Sequence, residues 1–281
     1  MKQTFKTIIH PTDYAKAGVG AFAHGLKLAV AGRGRFTIVH SAEGELEDEA
    51  RREAFPGVRD TLASWGLLDL GAQPESVETV LGLRVSKVDL GGKSTVGGLV
   101  DFIDRHEADL IVLGTAARDG LPRWLQGSVA EQVAQKSGLA TLFLPHQTRG
   151  FVEPKTGELR LQNILIPVDA EPSPAAALQA AASLIELLDA QEARIHILHI
   201  GSAETAPVLD LPSWLGARIE RLELEGPVVE TIVAASDQLD ADLIVMATEG
   251  RQGFLDALRG STTEAVLRRA NRPLLAVPAR A

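Results

Sequence analysis

The sequence predicts an α/β protein of two tandem domains, each a five-stranded parallel sheet with flanking helices. Two observations carry this. The first is internal repetition. Ala108-Asp109-Leu110-Ile111-Val112-Leu113-Gly114-Thr115 recurs as Ala241-Asp242-Leu243-Ile244-Val245-Met246-Ala247-Thr248. Gly120-Leu121 is answered by Gly253-Phe254 and Gly127-Ser128 by Gly260-Ser261, and all these pairs lie 133 positions apart. Ile9-His10-Pro11-Thr12-Asp13 resembles Leu165-Ile166-Pro167-Val168-Asp169, and Phe143-Leu144-Pro145 resembles Ala276-Val277-Pro278. Each half therefore shares a beginning, a middle and an end, which is a tandem duplication. The second observation is that short, nearly continuous apolar runs alternate with helical stretches. That pattern marks a parallel sheet covered on both faces.

In the first half, Thr7–His10 is a short apolar run, and Asp13 is placed to cap a helix running to about Ala31. Phe36–His40 is a strand rich in β-branched residues. Glu45–Trp65 reads as one charged-faced helix, and Pro74–Leu81 as a short one with Gly82 beyond its end. Val85–Leu90 alternates as a strand does. Thr95–His106 is helical, Leu110–Leu113 a fully apolar strand, Ser128–Lys136 a helix and Thr141–Leu144 the last strand. The second half repeats the order, with strands near Ile164–Val168, Ile195–His199, Ile219–Leu224, Leu243–Met246 and Leu274–Val277. From His40 to Arg84 is 44 positions and from His199 to Arg218 only 19, so the second copy has lost most of its second helix. The domains are drawn at 1–150 and 151–281. Phe151-Val152 and Leu159-Arg160-Leu161, around Pro154-Lys155-Thr156-Gly157, are set to form a hairpin at the join.

Length fits two domains at ~150 residues each. The formal charge is −9. Splitting after Gly150 leaves 17 basic and 18 acidic residues in the first part, and 11 and 19 in the second. An acidic chain is not built to grip nucleic acid through its phosphates. There is no cysteine, which excludes disulfides, thiolate metal sites and thiol nucleophiles and fits a reducing compartment. The start, Met1-Lys2-Gln3-Thr4-Phe5, reads as running straight into a strand without a secretory signal. No apolar stretch approaches the ~20 residues of a membrane span. The expectation is a cytoplasmic protein.

Each copy has a strand, a Gly-bearing loop, and a hydroxyl residue opening a helix. The loops are Gly114-Thr115-Ala116-Ala117 … Gly127-Ser128 and Ala247-Thr248-Glu249-Gly250 … Gly260-Ser261-Thr262-Thr263. Glycine lets backbone approach a phosphate, a helix N-terminus attracts negative charge, and Ser or Thr adds a donor. These loops follow the fourth strand, near the crevice where open parallel sheets bind ligands. Asp13 and Asp169 would line that crevice, where a carboxylate can accept from ribose hydroxyls or an adenine amine. Plain turn and capping roles account for the same residues equally well.

Taken together, the paired motifs resemble the universal stress protein family, in a tandem, two-domain form. The resemblance implies Rossmann-like domains that bind adenine nucleotide, ATP above all and with Mg²⁺ as a possible companion. The family motif is Gly, two residues, Gly, nine residues, then Gly-Ser/Thr, plus an Asp after the first strand. Copy one matches at Asp13, Gly114, Gly127 and Ser128 but has Ala117 at the second glycine. Copy two matches at Asp169, Gly250, Gly260 and Ser261, followed by Thr262, but has Ala247 at the first. In the family the first glycine borders ribose and the others border phosphates, so copy two is favoured as the phosphate cradle. The resemblance further implies a stress-responsive regulator with an unknown protein partner. Its apolar final strands would pair the copies as an intramolecular pseudo-dimer, hiding aggregation-prone edges, with a homodimer as a further step. The competing expectations are a nucleotide-free interaction module and a slow ATP hydrolase.

The remaining candidates have plainer readings. His196 and His199 form H-x-x-H, but on a strand i and i+3 face opposite sides, which argues against a shared metal. His40 and His199 are equivalent positions closing the second strand, suited to packing beside the pocket. His10 and His24 read as structural. Arg118, Asp119, Glu249 and Arg251 sit in the glycine loops, and Trp65, Trp124 and Trp214 are scattered. No serine has a histidine and an orienting acid at a recognisable spacing, so no catalytic residue is assigned. Gly91-Gly92-Lys93-Ser94 lacks the first glycine of a Lys-bearing phosphate loop.

Overall fold

A computed structural model describes residues 5–40, 45–90, 95–115, 129–146, 148–209, 218–248 and 262–279. Among them, ten strands form one sheet: β1 (Thr7–Thr12), β2 (Arg35–His40), β3 (Arg84–Asp89), β4 (Leu110–Thr115), β5 (Ala140–Pro145), β6 (Asn163–Val168), β7 (Arg194–Ile200), β8 (Ile219–Leu224), β9 (Leu243–Thr248) and β10 (Leu274–Pro278). Their spatial order is β3-β2-β1-β4-β5-β10-β9-β6-β7-β8. Strands within each half run parallel, as predicted.

The halves join where β5 meets β10. This pairing is antiparallel, with Phe143 opposite Leu274, Leu142 opposite Leu275 and Thr141 opposite Ala276. Leu142 and Leu275 are equivalent in the 133-residue repeat, so a pseudo-twofold axis passes between them. Two copies of one edge related by a twofold must run antiparallel, so the join is isologous in kind. It turns two sheets into one and removes two open edges, as the pseudo-dimer expectation required. The remaining outer strands carry charge, with Arg84 and Lys87 on β3, and Glu220, Arg221 and Glu223 on β8. Such edges resist further pairing.

Period-two alternation splits the core in two. One face buries Ile8, Phe36, Val112, Ile166, Ile195 and Val245 beneath helices Val19–Ala31 and Ala175–Leu187. The other buries Ile9, Ile111, Phe143, Leu165, Ile244 and Ala276 beneath helices Thr95–Arg105, Val129–Ser137, Val228–Gln238 and Thr262–Arg269. Both clusters cross the β5–β10 junction. The connector is part of the first face, with Phe151, Val152 and Leu161 buried. It does form a hairpin: Val152 bridges Leu159, and Arg160 N–H donates to the Phe151 carbonyl at 2.8 Å.

The repeated Ala-Asp dipeptide has a structural role. The Asp109 carboxylate accepts from the backbone N–H groups of Lys6 and Thr7 at 2.9 and 2.8 Å. Asp242 does the same for Gln162 and Asn163 at 2.7 and 3.0 Å. In each half the entry to the fourth strand thus fastens the entry to the first.

Two helix expectations are corrected. The charged stretch 45–65 is two helices, Glu45–Ala54 and Val58–Ser64. Pro56 lacks an N–H and forces the residue before it out of the helical region, which breaks the run. The first helix begins at Val19 after a 3-10 turn, Lys16–Gly18, so Asp13 does not cap it. Instead Asp13 Oδ1 accepts from Ala15 N–H at 3.0 Å, while Thr12 Oγ1 accepts from Tyr14 N–H at 3.0 Å. These bonds hold Tyr14 at φ 55°, a left-handed conformation uncommon for a bulky residue.

Candidate functional site

The sheet opens where the strand order reverses. β1 and β4 are in register at Ile8–Leu110 and Ile9–Ile111, two positions, whereas β1–β2 and β4–β5 each pair over six. Pro11, without an N–H, cannot continue the ladder. His10 bridges part of the gap, its Nδ1–H donating to the Val112 carbonyl at 2.9 Å. β6 and β9 likewise pair at two positions, and Pro167 stands where Pro11 does. Two crevices therefore open at the carboxyl ends of the strands, the switch-point position at which open α/β sheets take ligands.

Asp13 and Asp169 both stand exposed on these rims. Asp169 Oδ1 accepts from Ala170 N–H at 2.7 Å, which leaves its second oxygen to the solvent side. Gly114 lies on β4 facing the start of the first helix. A Cβ there would stand 3.4 Å from Gly18 Cα and 3.7 Å from Ala21 Cβ, an ordinary contact. Its counterpart Ala247 packs its methyl against the same core face. The alanine at this position is thus accommodated within the fold. Thr262 is exposed at the first turn of the helix Thr262–Arg269, which starts at the carboxyl edge of the sheet as a crossover helix after β9 must. Gly127, Ser128, Gly250, Gly260 and Ser261 lie outside the described residues, as do Ala117, Arg118, Asp119, Glu249, Arg251, Trp124, Trp214 and the Gly91–Ser94 segment.

The walls of the two crevices differ. In the first half, Tyr14 stacks on His40 at 4.8 Å between ring centroids and meets Phe55 edge-on at 5.4 Å. The Arg52 guanidinium lies over the Tyr14 ring at 5.4 Å and donates to Asp89 Oδ2 at 2.9 Å. Burial raises the Tyr14 hydroxyl above its ordinary pKa, with Arg52 opposing the shift. In the second half, the position equivalent to Tyr14 is Ala170, exposed. There His199 is paired with the Thr205 hydroxyl at 2.9 Å, on a 3-10 turn Ala203–Thr205. Tyr14, Arg52, Phe55, Asp89 and Thr205 were not among the residues expected at the site. The available signal for Tyr14 was its place beside Asp13; Phe55 and Arg52 arrive from a helix of undefined direction.

The histidines behave as structural groups. His196 faces one side of β7, with Nδ1 3.0 Å from Glu220 Oε2 and Nε2 3.2 Å from Asn163 Oδ1, while His199 faces the other. They share no site, and no group of three or more metal-ligating side chains occurs among the described residues. His24 donates from Nδ1 to the Gly20 carbonyl at 2.7 Å, and its Nε2 accepts from Val152 N–H at 3.1 Å. Burial pushes both His10 and His24 down to about 4.

Part of the acidity of the second half is placed away from its crevice. Asp237, Asp240 and Asp242 lie at the amino edge of the sheet, where Arg160 and Arg272 pair with them. No helix among the described residues is long and apolar enough to cross a membrane.

Comparison with known proteins agrees with this architecture. A universal stress protein of Methanocaldococcus jannaschii is 27% identical over 149 residues, covering 47% of this chain and 78% of that protein. The crystal structure of a universal stress protein from Archaeoglobus fulgidus superposes with a TM-score of 0.62 at 16% identity, covering 97% of this chain and 98% of that one. A candidate universal stress protein from Pseudomonas aeruginosa does so with a TM-score of 0.59 at 15% identity, covering 99% and 93%. At these identities the structural likeness speaks for the fold. The model of the universal stress protein family matches residues 4–145 and 212–278, and the chain belongs to that family.

Proposed function

We infer that the chain is an adenine-nucleotide-binding regulator whose working site is the crevice of the second half. One observation supports this most: β6 and β9 separate after two paired positions, and both the exposed Asp169 and the first turn of helix Thr262–Arg269 stand on that carboxyl edge. A carboxylate facing a helix N-terminus across an open crevice suits a nucleoside phosphate, with hydroxyls at one end and anion at the other. In this reading Asp169 accepts from the ribose or the adenine amine. Gly250, Gly260, Ser261 and Thr262 cradle the phosphates of ATP, with Mg²⁺ offsetting their charge. Asp13, Gly114, Gly127 and Ser128 are the counterparts in the first half. The protein acts by binding rather than by catalysis, in the cytoplasm, on a protein partner of unknown identity.

The test is mass spectrometry of nucleotide released from the purified protein, then calorimetric titration with ATP and AMP, with and without Mg²⁺. Binding that Gly260→Val abolishes and Gly127→Val spares supports the reading. The reverse ranking moves the site to the first half. No released nucleotide and no heat at millimolar ligand would leave an interaction module of the same fold.

A further inference from the structure

The crevice of the first half contains the chain's own aromatic side chains. Tyr14 follows Asp13 on the rim and is nonetheless 7% exposed. It is covered by His40 on one side and Phe55 on the other. Phe55 stands beside the end of β1 and the 3-10 turn: a Cβ on Gly18 would lie 3.8 Å from both the Phe55 ring and Thr12 Oγ1. Gly18 in turn abuts β4, since a Cβ on Gly114 would lie 3.4 Å from its Cα. Phe55 also stands edge-on to Phe22 at 5.3 Å, which anchors it to the helix below.

What holds this set in place comes from the interval between the second and third strands, which is 44 positions long from His40 to Arg84 and 19 from His199 to Arg218. Phe55 ends the helix Glu45–Ala54, its N–H donating to the Arg51 carbonyl at 3.0 Å. One turn back, Arg52 clamps Tyr14 from above while its guanidinium is tied to Asp89 at the end of β3. A cation over a ring face and a charge-assisted hydrogen bond both hold a helix end in place. Among the described residues the equivalent place in the second half differs: Ala170 replaces Tyr14, and His199 meets the Thr205 hydroxyl.

We propose that the Tyr14–Phe55–Arg52 set is a built-in plug of the first crevice. It occupies the stacking surface on which a purine would lie, so the tandem chain takes one adenine nucleotide, in its second half. The first half becomes a site when the helix Glu45–Ala54 lifts away. The inference rests on reading the crevices as nucleotide sites, and its test separates the two. A nucleotide can enter the first half only as far as its affinity exceeds the free energy of releasing the plug.

The chain has one tyrosine, so biosynthetic 3-fluorotyrosine gives a single fluorine NMR resonance from Tyr14. The full chain, Arg52→Ala, Phe55→Ala, Gly260→Val and the Arg52→Ala/Gly260→Val pair are titrated calorimetrically with AMP and with ATP plus Mg²⁺. The expected stoichiometries are one for the unaltered chain, two for Arg52→Ala and Phe55→Ala, none for Gly260→Val and one for the pair. The Tyr14 resonance should stay put on saturation of the unaltered chain and move on saturation of Arg52→Ala. Arg52 is half exposed, so this variant keeps the fold even if Phe55→Ala does not. Two equivalents on the unaltered chain, or a nucleotide-dependent Tyr14 shift there, overturns the plug. One equivalent throughout, lost with Gly260→Val, overturns the plug and keeps the second-half site. No binding to the unaltered chain with one equivalent on Arg52→Ala keeps the plug and removes the second-half site. No binding to any variant removes both.

Discussion

Acid should unfold this protein earlier than its carboxylates alone would, because His10 and His24 are buried neutral. His24 is the sharper case. Its Nδ1–H is spent on Gly20 and its Nε2 lone pair receives Val152 N–H, so a second proton would set two donors against each other. Phe151 packs edge-on at 4.4 Å, and the ring is buried. Burial holds both rings at about 4 in the folded chain against an ordinary 6.5. Above pH 6.5 both states are neutral and nothing changes. Below it the unfolded chain takes up two protons that the folded chain refuses, so stability falls until about pH 4 and then levels. At 1.36 kcal/mol per pKa unit, each histidine removes about 2 kcal/mol by pH 5, and the pair about 4 kcal/mol. Urea unfolding between pH 7.5 and 5 measures this above most carboxylate titration. His24→Leu should lower stability at pH 7.5 and remove about half of the pH slope, and His10→Leu the other half. An unaltered slope in both variants would refute the assignment.

Other consequences are as direct. Asp242→Ala strands two backbone donors beside Arg160 and should cost about 3 kcal/mol, against about 2 kcal/mol for Asp109→Ala, which is less buried; equal urea midpoints would contradict this. Leu275→Ala, at the pseudo-twofold, should cost about 3 kcal/mol and lower one calorimetric transition without splitting it, because both core clusters cross the junction. Two resolved transitions would show that the halves unfold separately. Gly150→Ala would drive a methyl into the His24 ring and should cost about 1–3 kcal/mol. Gly114→Ala, by contrast, should change the melting temperature little.

The parallel strands were legible because their apolar runs have no helical period and recur in the second half, the fourth and fifth at 133 positions and the first at 156. Ile219–Leu224 falls where the sequence placed it, the strand expected at Val85–Leu90 is shifted back by one residue to Arg84–Asp89, and the other strands gained one or two residues at their ends, where the ladder extends past the apolar run. The β5–β10 join was expected from the family resemblance, in which final strands pair and so hide two open edges. The break at Pro56 was written in the chain but masked by charge continuity on either side. The plug was not legible. Nothing in the spacing of Tyr14, Arg52 and Phe55 says that the helix Glu45–Ala54 turns back over Tyr14, because helix direction is set by packing against Phe22 and by the Arg52–Asp89 tie. Asp13 shows the opposite error, a residue read as a helix cap that instead fixes a turn two residues long.

Fusion of the two copies makes such a difference possible. A homodimer joined through this edge would carry the same residue on both sides, so both crevices would be plugged or neither. In one chain the pseudo-twofold binds only the residues that meet at it: Leu142 faces Leu275, and the registers around them stay symmetric. Away from the axis the constraint lapses. Tyr14 can stand where the second half has Ala170, and 44 positions can separate His40 from Arg84 where 19 separate His199 from Arg218. The charge follows the same division. Arg160 and Arg272 neutralise acids at the amino edge of the second half, some distance from a phosphate at the carboxyl edge. Whatever repulsion the remaining acids exert is felt most at the crevice itself, where Asp169 is exposed and a divalent cation would have the most effect.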